Sequence, residues 1–548
     1  MTEDARFAAD EPQAPTALAV TDGIITALGN DEEILALASA DTEIIDAEGG
    51  VLTPGLIDSH MHPVWGAQLT DGIDLGGLST VDEVREAIAT AAAQLPEDAW
   101  VRGWNLDYKV FSEHGAEGGG AESGAQVSGE QIRGDLFDEA AGGLPVALVL
   151  MDLHTGVGNA AALAAAGIDG TEEFEDESLV VVDEHGRPTG ELREIPAYMM
   201  LIDAAPALSQ AATVDRVVEA LGQTAASGVT TAGVMDGRPQ TIEVLEAAEK
   251  QPTGLPVRLQ IAMWHQPGDD DAAVEERIGL LGTRGARFEV SMIKMFIDGV
   301  IDSGTAWLHT PDAEGESQHP FWPSVQRYRE VSRRYHQAGF QLATHSCGDA
   351  GAAAAARLYA QLGPRVTDGA PHRVEHLETL TDEDVALLAE TGTVASMQPL
   401  HMQWREADGS DSWSRRLAGE RADHAFRVKD IIDAGGKICL GSDWPVAQYD
   451  ARIGMAWARL RRRPGDPQAP VFEPDQRLSG EEALLGYTRW AAEALGRADL
   501  GVIAVGARAD LALWERDPVT TEPDDLLSTR VLLTLIDGLV SHHAEDFS

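Results

Sequence analysis

Lysine is nearly absent from this 548-residue chain, with Lys109, Lys250, Lys294, Lys429 and Lys437 its only five. Arginine carries the rest of the positive charge, and 40 basic residues face 91 acidic ones, for a formal net charge of −51. The acidic residues run along the whole chain rather than gathering in a tail. Such a surface repels polyanions, which weighs against nucleic acid and anionic membranes as partners. It suits a cytosolic protein of a halophile, where salt screens the self-repulsion that would otherwise loosen the fold.

Cysteine is scarce too. Cys347 and Cys439 are the only two, so a disulfide framework is excluded, and both sit in apolar segments where a free thiol acts as a small hydrophobe. Long apolar runs are missing, and none approaches the roughly 20 residues that cross a bilayer. The opening MTEDARFAADEPQAP is acidic and lacks the basic start and apolar stretch of a signal peptide, so the expected location is the cytoplasm.

What the chain does have is material for a large core (44% of its residues are hydrophobic), and its length implies one large domain with a satellite. Eight apolar segments alternate with helical stretches, at 56–62, 230–236, 257–263, 290–298, 340–346, 372–377, 393–399 and 437–443. Stretches such as 328–339 and 382–392 read as the helices between them. That rhythm predicts a closed α/β barrel of eight parallel strands, a (β/α)₈ or TIM-like barrel. Both ends read as short strands with turn signals at Asp22-Gly23, Gly49-Gly50 and Asp537-Gly538. They predict one small composite β-domain, a β-sandwich built from residues 1–57 and 496–548, with the barrel over 58–495. Residues 65–205 interrupt the rhythm after the first barrel strand and read as an insertion over the catalytic face, a substrate lid. Within it, the glycine-rich 113–130 segment reads as a flexible loop, while 100–108 and 145–154 read as ordered.

In a strand, residues i and i+2 point the same way, so His60 and His62 project together from the end of LIDSHMH as a convergent pair of metal ligands. Four later strand ends add Lys294, His345, His376 and Asp443. The carboxyl ends of parallel barrel strands open on one face, which brings these positions together. Taken singly, each has a plainer reading, a satisfied core histidine or, for Asp443, a helix cap. Lys294 is unusual because a buried ammonium needs a partner or a lowered pKa. It either pairs with a carboxylate such as Asp298 or reacts with carbon dioxide to give an anionic carbamate that can bridge two metals.

PGLIDSHMH, the lysine of SMIKMFIDG, HSCGDAG, HRVEHL and GSDWP together resemble the amidohydrolase superfamily. RGWN (102–105), DLHTGVGNAAAL (152–163), GRPTGELRE (186–194) and GARADLALWERDP (506–518) narrow the resemblance to its amidohydrolase-3 branch, which includes N-substituted formamide deformylase-like proteins. The lysine-poor composition is similar to that of haloarchaeal proteins. The resemblance implies one or two divalent metal ions, usually zinc, with His60, His62 and Asp443 on one and His345 and His376 on the other. Carboxylated Lys294 would bridge them. Manganese, iron and nickel also accept such nitrogen and oxygen donors. Two metals about 3.5–4 Å apart lower the pKa of a bridging water and polarise a carbonyl. Asp443 would carry the water's proton to the leaving amine. Asp58 shares the face of His60 and His62 and reads as a supporting or structural group.

Where this branch more often has an aromatic residue, the chain has Val157, which puts formamide specificity in doubt. Trp104, His154 and Trp307 are the candidate substrate-binding residues, with Trp444 a further aromatic near the site. Arg373 and Glu375 read as pairing with their neighbours. The expected activity is hydrolysis of an amide or formamide C–N bond in a small molecule by a metal-activated hydroxide. Deamination or opening of a cyclic amide on the same site is the alternative enzyme, and a metal-free binding scaffold the alternative class. Homodimers are common in the branch, an expectation that rests on the resemblance alone.

Overall fold

Eight strands pair in parallel and in chain order: β1 (Leu56–Met61), β2 (Val229–Gly237), β3 (Arg258–His265), β4 (Phe288–Phe296), β5 (Gln341–Ser346), β6 (Arg373–His376), β7 (Val394–Met397) and β8 (Lys437–Leu440). Each corresponds to one of the eight predicted segments. The computed structural model describes residues 15–111, 132–174, 177–545 and 547. The strands are buried on both faces, which is why their sequences are continuous apolar runs instead of alternating ones.

The barrel is nearly closed, and backbone bonds beyond the end of β8 carry the last seam. The Asp443 amide donates to His60 O at 2.7 Å and the His62 amide to Trp444 O at 2.8 Å. Asp58 stitches the same seam from below, one carboxylate oxygen accepting from the backbone N–H of both His60 and Ser442. Burial nevertheless pushes its carboxyl up to about 6. Gly441 is required here because a Cβ would stand 2.7 Å from the His60 nitrogen.

Helices cover the outside of the barrel and end where the sequence supplies caps. Val325–Ala338 begins at Ser324 and stops at left-handed Gly339, and Asp382–Thr391 opens with a Thr381/Asp384 capping box and stops at Gly392.

Two further sheets flank the barrel. Val51–Pro54 from the beginning of the chain pairs antiparallel with Leu511–Trp514 from its end, followed by Val531–Ile536 and Leu539–His543. The hairpin Ala17–Thr21/Ile24–Gly29 turns at Asp22-Gly23, and Ile25 packs with Leu511, Leu513 and Leu533. The N-terminal region departs from the strand reading in two places. Asp31–Leu35 is a short helix, started by an Asn30/Glu33 capping box, and residues 43–46 are irregular.

Between β1 and β2 lies a six-stranded mixed sheet with its own apolar core around Phe111, Phe137, Val146 and Leu148. Val101–Leu106 and Val146–Leu150, both expected to be ordered, are adjacent parallel strands in it. The glycine-rich 113–130 segment lies outside the described residues.

Candidate active site

The strand ends bring His60, His62, Lys294, His345, His376 and Asp443 together, each at most 6% exposed. His60 Nε2 lies 3.3 Å and His62 Nε2 3.0 Å from Asp443 Oδ1. The His376 ring is 4.9 Å from that of His60 and 4.4 Å from that of His345, and Lys294 Nζ is 3.3 Å from His60 Nε2. One donor atom from each of His60, His376 and Asp443 falls within 4.8 Å of the others.

Neighbouring groups decide which imidazole nitrogen is free. His60 Nδ1 bonds Glu375 Oε2 at 2.7 Å, which leaves its Nε2 lone pair facing the centre. His376 Nδ1 bonds Gln398 Oε1 at 3.0 Å, which makes its Nε2 the lone-pair nitrogen. His345 is reversed: its Nε2 donates to Gly299 O at 3.1 Å and Nδ1 is left free. Arg373 holds Glu375 in turn, at 2.6 Å, and also bonds Ser59 O and Ser396 Oγ, so the expected pairing of Arg373 and Glu375 is with each other.

The electrostatics favour lone pairs over protons at this centre. Burial and the Lys294 charge bring His60 down to about 4, and burial lowers His345 and His376 strongly. Burial would raise the Asp443 carboxyl, yet His60, His62 and His401 around it hold it well below the usual carboxylate range. Its Oδ1, although 3.0 Å from His62 Nε2, makes no well-aligned hydrogen bond, and the Nδ1 of His62 is buried with no hydrogen-bond partner. A carboxylate oxygen left without a well-aligned donor among imidazole lone pairs is costly by itself and is what a cation would satisfy, so these residues fit a divalent metal.

Asp298 is not the partner of Lys294. Its oxygens accept from the backbone of Trp307, Cys347 and Gly348 and from the Ser346 hydroxyl. Among the described residues Lys294 has no carboxylate ion pair, and burial brings its amine down to about 8. The backbone is strained where His376 and Asp443 turn inward. His376, Leu377 and Asp443 have φ of 77°, 54° and 59°, left-handed values that cost about 1–3 kcal/mol each and cluster at functional sites.

Above this centre is a cavity lined by His62, Lys294, His345, His376 and Asp443 on one side and by Trp65, Trp264, Phe296, Trp404 and Trp413 around it. His154 reaches in from the insertion. Its Nδ1 is 2.6 Å from buried Glu194, whose other oxygen accepts from Thr305, and its ring is 5.1 Å from that of His345.

Trp104 and Trp307 do not line the cavity, and neither does Trp444. Trp104 sits on Val101–Leu106 beside Asp74, on the opposite face from Val101 and Gly103, one sheet removed from the barrel mouth. Trp307 is half-buried against the apolar core, with its backbone N–H on Asp298 and its carbonyl accepting from Ala350 and Gly351. Sequence reasoning overlooked His401, whose Nε2 is 3.5 Å from Asp443 Oδ2, and it overlooked Glu194. The signal for His401 was a histidine in QPLHM, directly after the seventh strand. Both cysteines are buried and free, and Cys347 Sγ lies 3.6 Å from His345 Nε2.

The model of the amidohydrolase family matches residues 43–542. The chain belongs to the amidohydrolase family. As a member it is a metal-dependent hydrolase acting on carbon–nitrogen bonds. This amidohydrolase is 26% identical to YtcJ of Bacillus subtilis over 97% of its own length and 96% of that protein's. It is 27% identical to the N-substituted formamide deformylase of Arthrobacter pascens, covering 96% and 94% of the two chains. Among solved structures, a metal-dependent hydrolase from Pyrococcus horikoshii superposes with a TM-score of 0.70 at 20% identity, over 92% of this chain and 94% of that one. That likeness shows the fold. No described helix of the amidohydrolase is long and apolar enough to cross a membrane.

Proposed function

We propose that this amidohydrolase cleaves the C–N bond of a small-molecule amide or formamide, with His60, His62, Lys294, His345, His376 and Asp443 holding one or two divalent cations, zinc foremost. The observation that carries this reading is the Oδ1 of Asp443, buried among imidazole nitrogens without a well-aligned hydrogen bond at the floor of a cavity walled in part by aromatic rings. A divalent cation bound there would polarise the substrate carbonyl and acidify the attacking water.

The chain's own groups do the rest. Asp443, ionised in this setting, takes the water's proton on its carboxylate and returns it to the departing nitrogen. Glu375 and Gln398 keep His60 and His376 in the tautomers that present Nε2. Lys294, buried without a carboxylate partner among the described residues, is suited to carboxylation to a bridging carbamate. The aromatic walls exclude water and confine an apolar part of the substrate. The 65–205 insertion, which brings His154 to the cavity, acts as the lid, and residues 1–57 and 496–548 form the satellite domain. The acid-rich, lysine-poor composition supports a salt-adapted host.

Elemental analysis in high salt tests the centre, comparing wild type with Lys294→Ala. Stoichiometric metal in the wild type and its loss in the variant are expected. A chain that neither carries metal nor takes any up would overturn the reading. A screen of N-formyl amines, N-acylated amino acids, cyclic amides and aminated heterocycles then identifies the bond, with turnover of the first two classes expected.

A further inference from the structure

Away from the metal-binding histidines, three carboxylates line the same cavity: Asp152, Asp302 and Glu378. They come from three separate places in the chain, after strand Val146–Leu150, after β4 and after β6, so the fold and not local sequence gathers them. Among the described residues none of the three is ion-paired with arginine or lysine. Their partners are neutral. Asp152 accepts from the Tyr108 hydroxyl at 2.7 Å and the His154 amide, Asp302 from the Ser412 hydroxyl, and Glu378 Oε2 from Trp413 Nε1 at 2.8 Å. Arg405 also reaches the cavity but is committed elsewhere. Its guanidinium stacks 4.7 Å from both Trp413 and Phe472 and bonds Glu473 at 2.7 Å.

Three partly or fully buried acids without an arginine or lysine partner oppose folding, and the one offsetting charge beside them is that of His154, which favours the ionised form of Asp152. Burial, and then Asp152 and Glu378, push the Asp302 carboxyl up to about 8. The cost disappears when a cation enters. A second group on the same wall also waits for a donor. His401, 6% exposed, has no hydrogen-bond partner at either ring nitrogen, and its Nδ1 stands 3.8 Å from Glu378 Oε1. That spacing is too long for a bond between them and leaves both atoms free to accept from one ammonium group. Trp404 lines the same wall, and an indole ring suits a cation as well.

We propose that the substrate of this enzyme carries an ammonium group, seated among Asp152, Asp302 and Glu378, in addition to the C–N bond that is cleaved. The inference rests on the hydrolase reading for the bond and on the carboxylates alone for the charge, so the two can be tested apart. Binding is measured first by calorimetry on the metal-loaded protein, with benzylamine, protonated at neutral pH, against benzyl alcohol, its neutral counterpart. Benzylamine is expected to bind at least tenfold more tightly, and Asp302→Asn and Glu378→Gln each to erase most of that preference. Turnover is then compared for N-formylbenzylamine bearing a para-aminomethyl group and for its para-ethyl analogue. The charged formamide is expected to have at least tenfold higher kcat/KM, with that ratio collapsing in Asp302→Asn. Preference for the amine without turnover of any amide counts against the hydrolase reading and leaves the cation site standing. Equal or better binding of benzyl alcohol, no binding of benzylamine, or a preference unchanged in both variants overturns the proposal.

Discussion

The Nδ1 of His60 bonds the carboxylate of Glu375 at 2.7 Å across 315 residues of sequence, with both side chains fully buried. Burial would raise Glu375, yet Arg373 and His60 hold it well below the usual carboxylate range, so a permanent anion stands behind an imidazole of the proposed metal site. Glu375→Gln keeps the shape but not the charge. It should weaken metal binding by about 10–100-fold, read by competition with a chelating dye. Glu375→Ala also strands buried Arg373 and should cost about 3–5 kcal/mol in urea unfolding. Unchanged metal affinity in Glu375→Gln would show that the carboxylate does no more than pack.

His154 stands over the site on a rigid mount, with Glu194 at 2.6 Å and the positive-φ residues Leu153 and Glu194 fixing its approach. His154→Phe should lower kcat/KM by about 10²-fold, in the range of a lost positioned polar group. Glu194→Gln should act in the same direction but less, because the ring remains. Separate kcat and KM values, with melting temperatures as control, check this. A kcat/KM unaltered in His154→Phe would remove it from the reaction.

Acid should unfold the protein partly through histidines far from the metal centre. Burial, with help from His336 and Arg365, lowers His372 from 6.5 to about 3, and burial lowers His265 to about 3. A histidine held neutral in the folded state binds its proton only on unfolding. Its stabilising contribution is therefore complete above pH 6.5 and is lost as pH falls from there toward 3. The slope approaches about 1.4 kcal/mol per pH unit for each group. His372→Asn retains an acceptor for the Leu342 amide, which His372 Nδ1 takes at 3.0 Å. Urea unfolding at pH 6.5 and 4.5 should show a pH dependence shallower than wild type by nearly one proton. Parallel curves would refute the assignment.

With a net charge of −51, self-repulsion should respond to salt. The screening length shrinks from about 10 Å at 0.1 M to about 3 Å at 1 M. The melting temperature should therefore rise steadily as KCl goes from 0.1 to 2 M, and the fold should loosen at low salt. A flat or falling profile would remove the halophilic reading.

The barrel was legible because a strand buried on both faces must be a short, nearly uninterrupted apolar run, and eight of these recur between helical stretches with their own caps. The convergence of the strand-end side chains was legible for a related reason, since a polar residue at the end of such a run has little structural purpose. The same logic failed for the tryptophans. Trp104 and Trp307 were singled out by residue type, but their directions depend on a neighbouring sheet and a loop. Trp65 and Trp264, which do line the cavity, carry no local signal that separates them from packing. His401 lay just past a strand end in a short helical turn, outside the i, i+2 pattern that exposed His60 and His62.

The sequence by itself determined the periodicity, the eight strands, the convergent donor types and the acidic surface, because these follow from local pattern and composition. Only the tertiary structure decided which nitrogen of His60 faces the centre, that Lys294 has no carboxylate partner among the described residues, and that Asp152, Asp302 and Glu378 share one cavity. Each of those facts is a distance between groups far apart in the chain. Such distances are set by packing across the barrel mouth, where no run of residues records them.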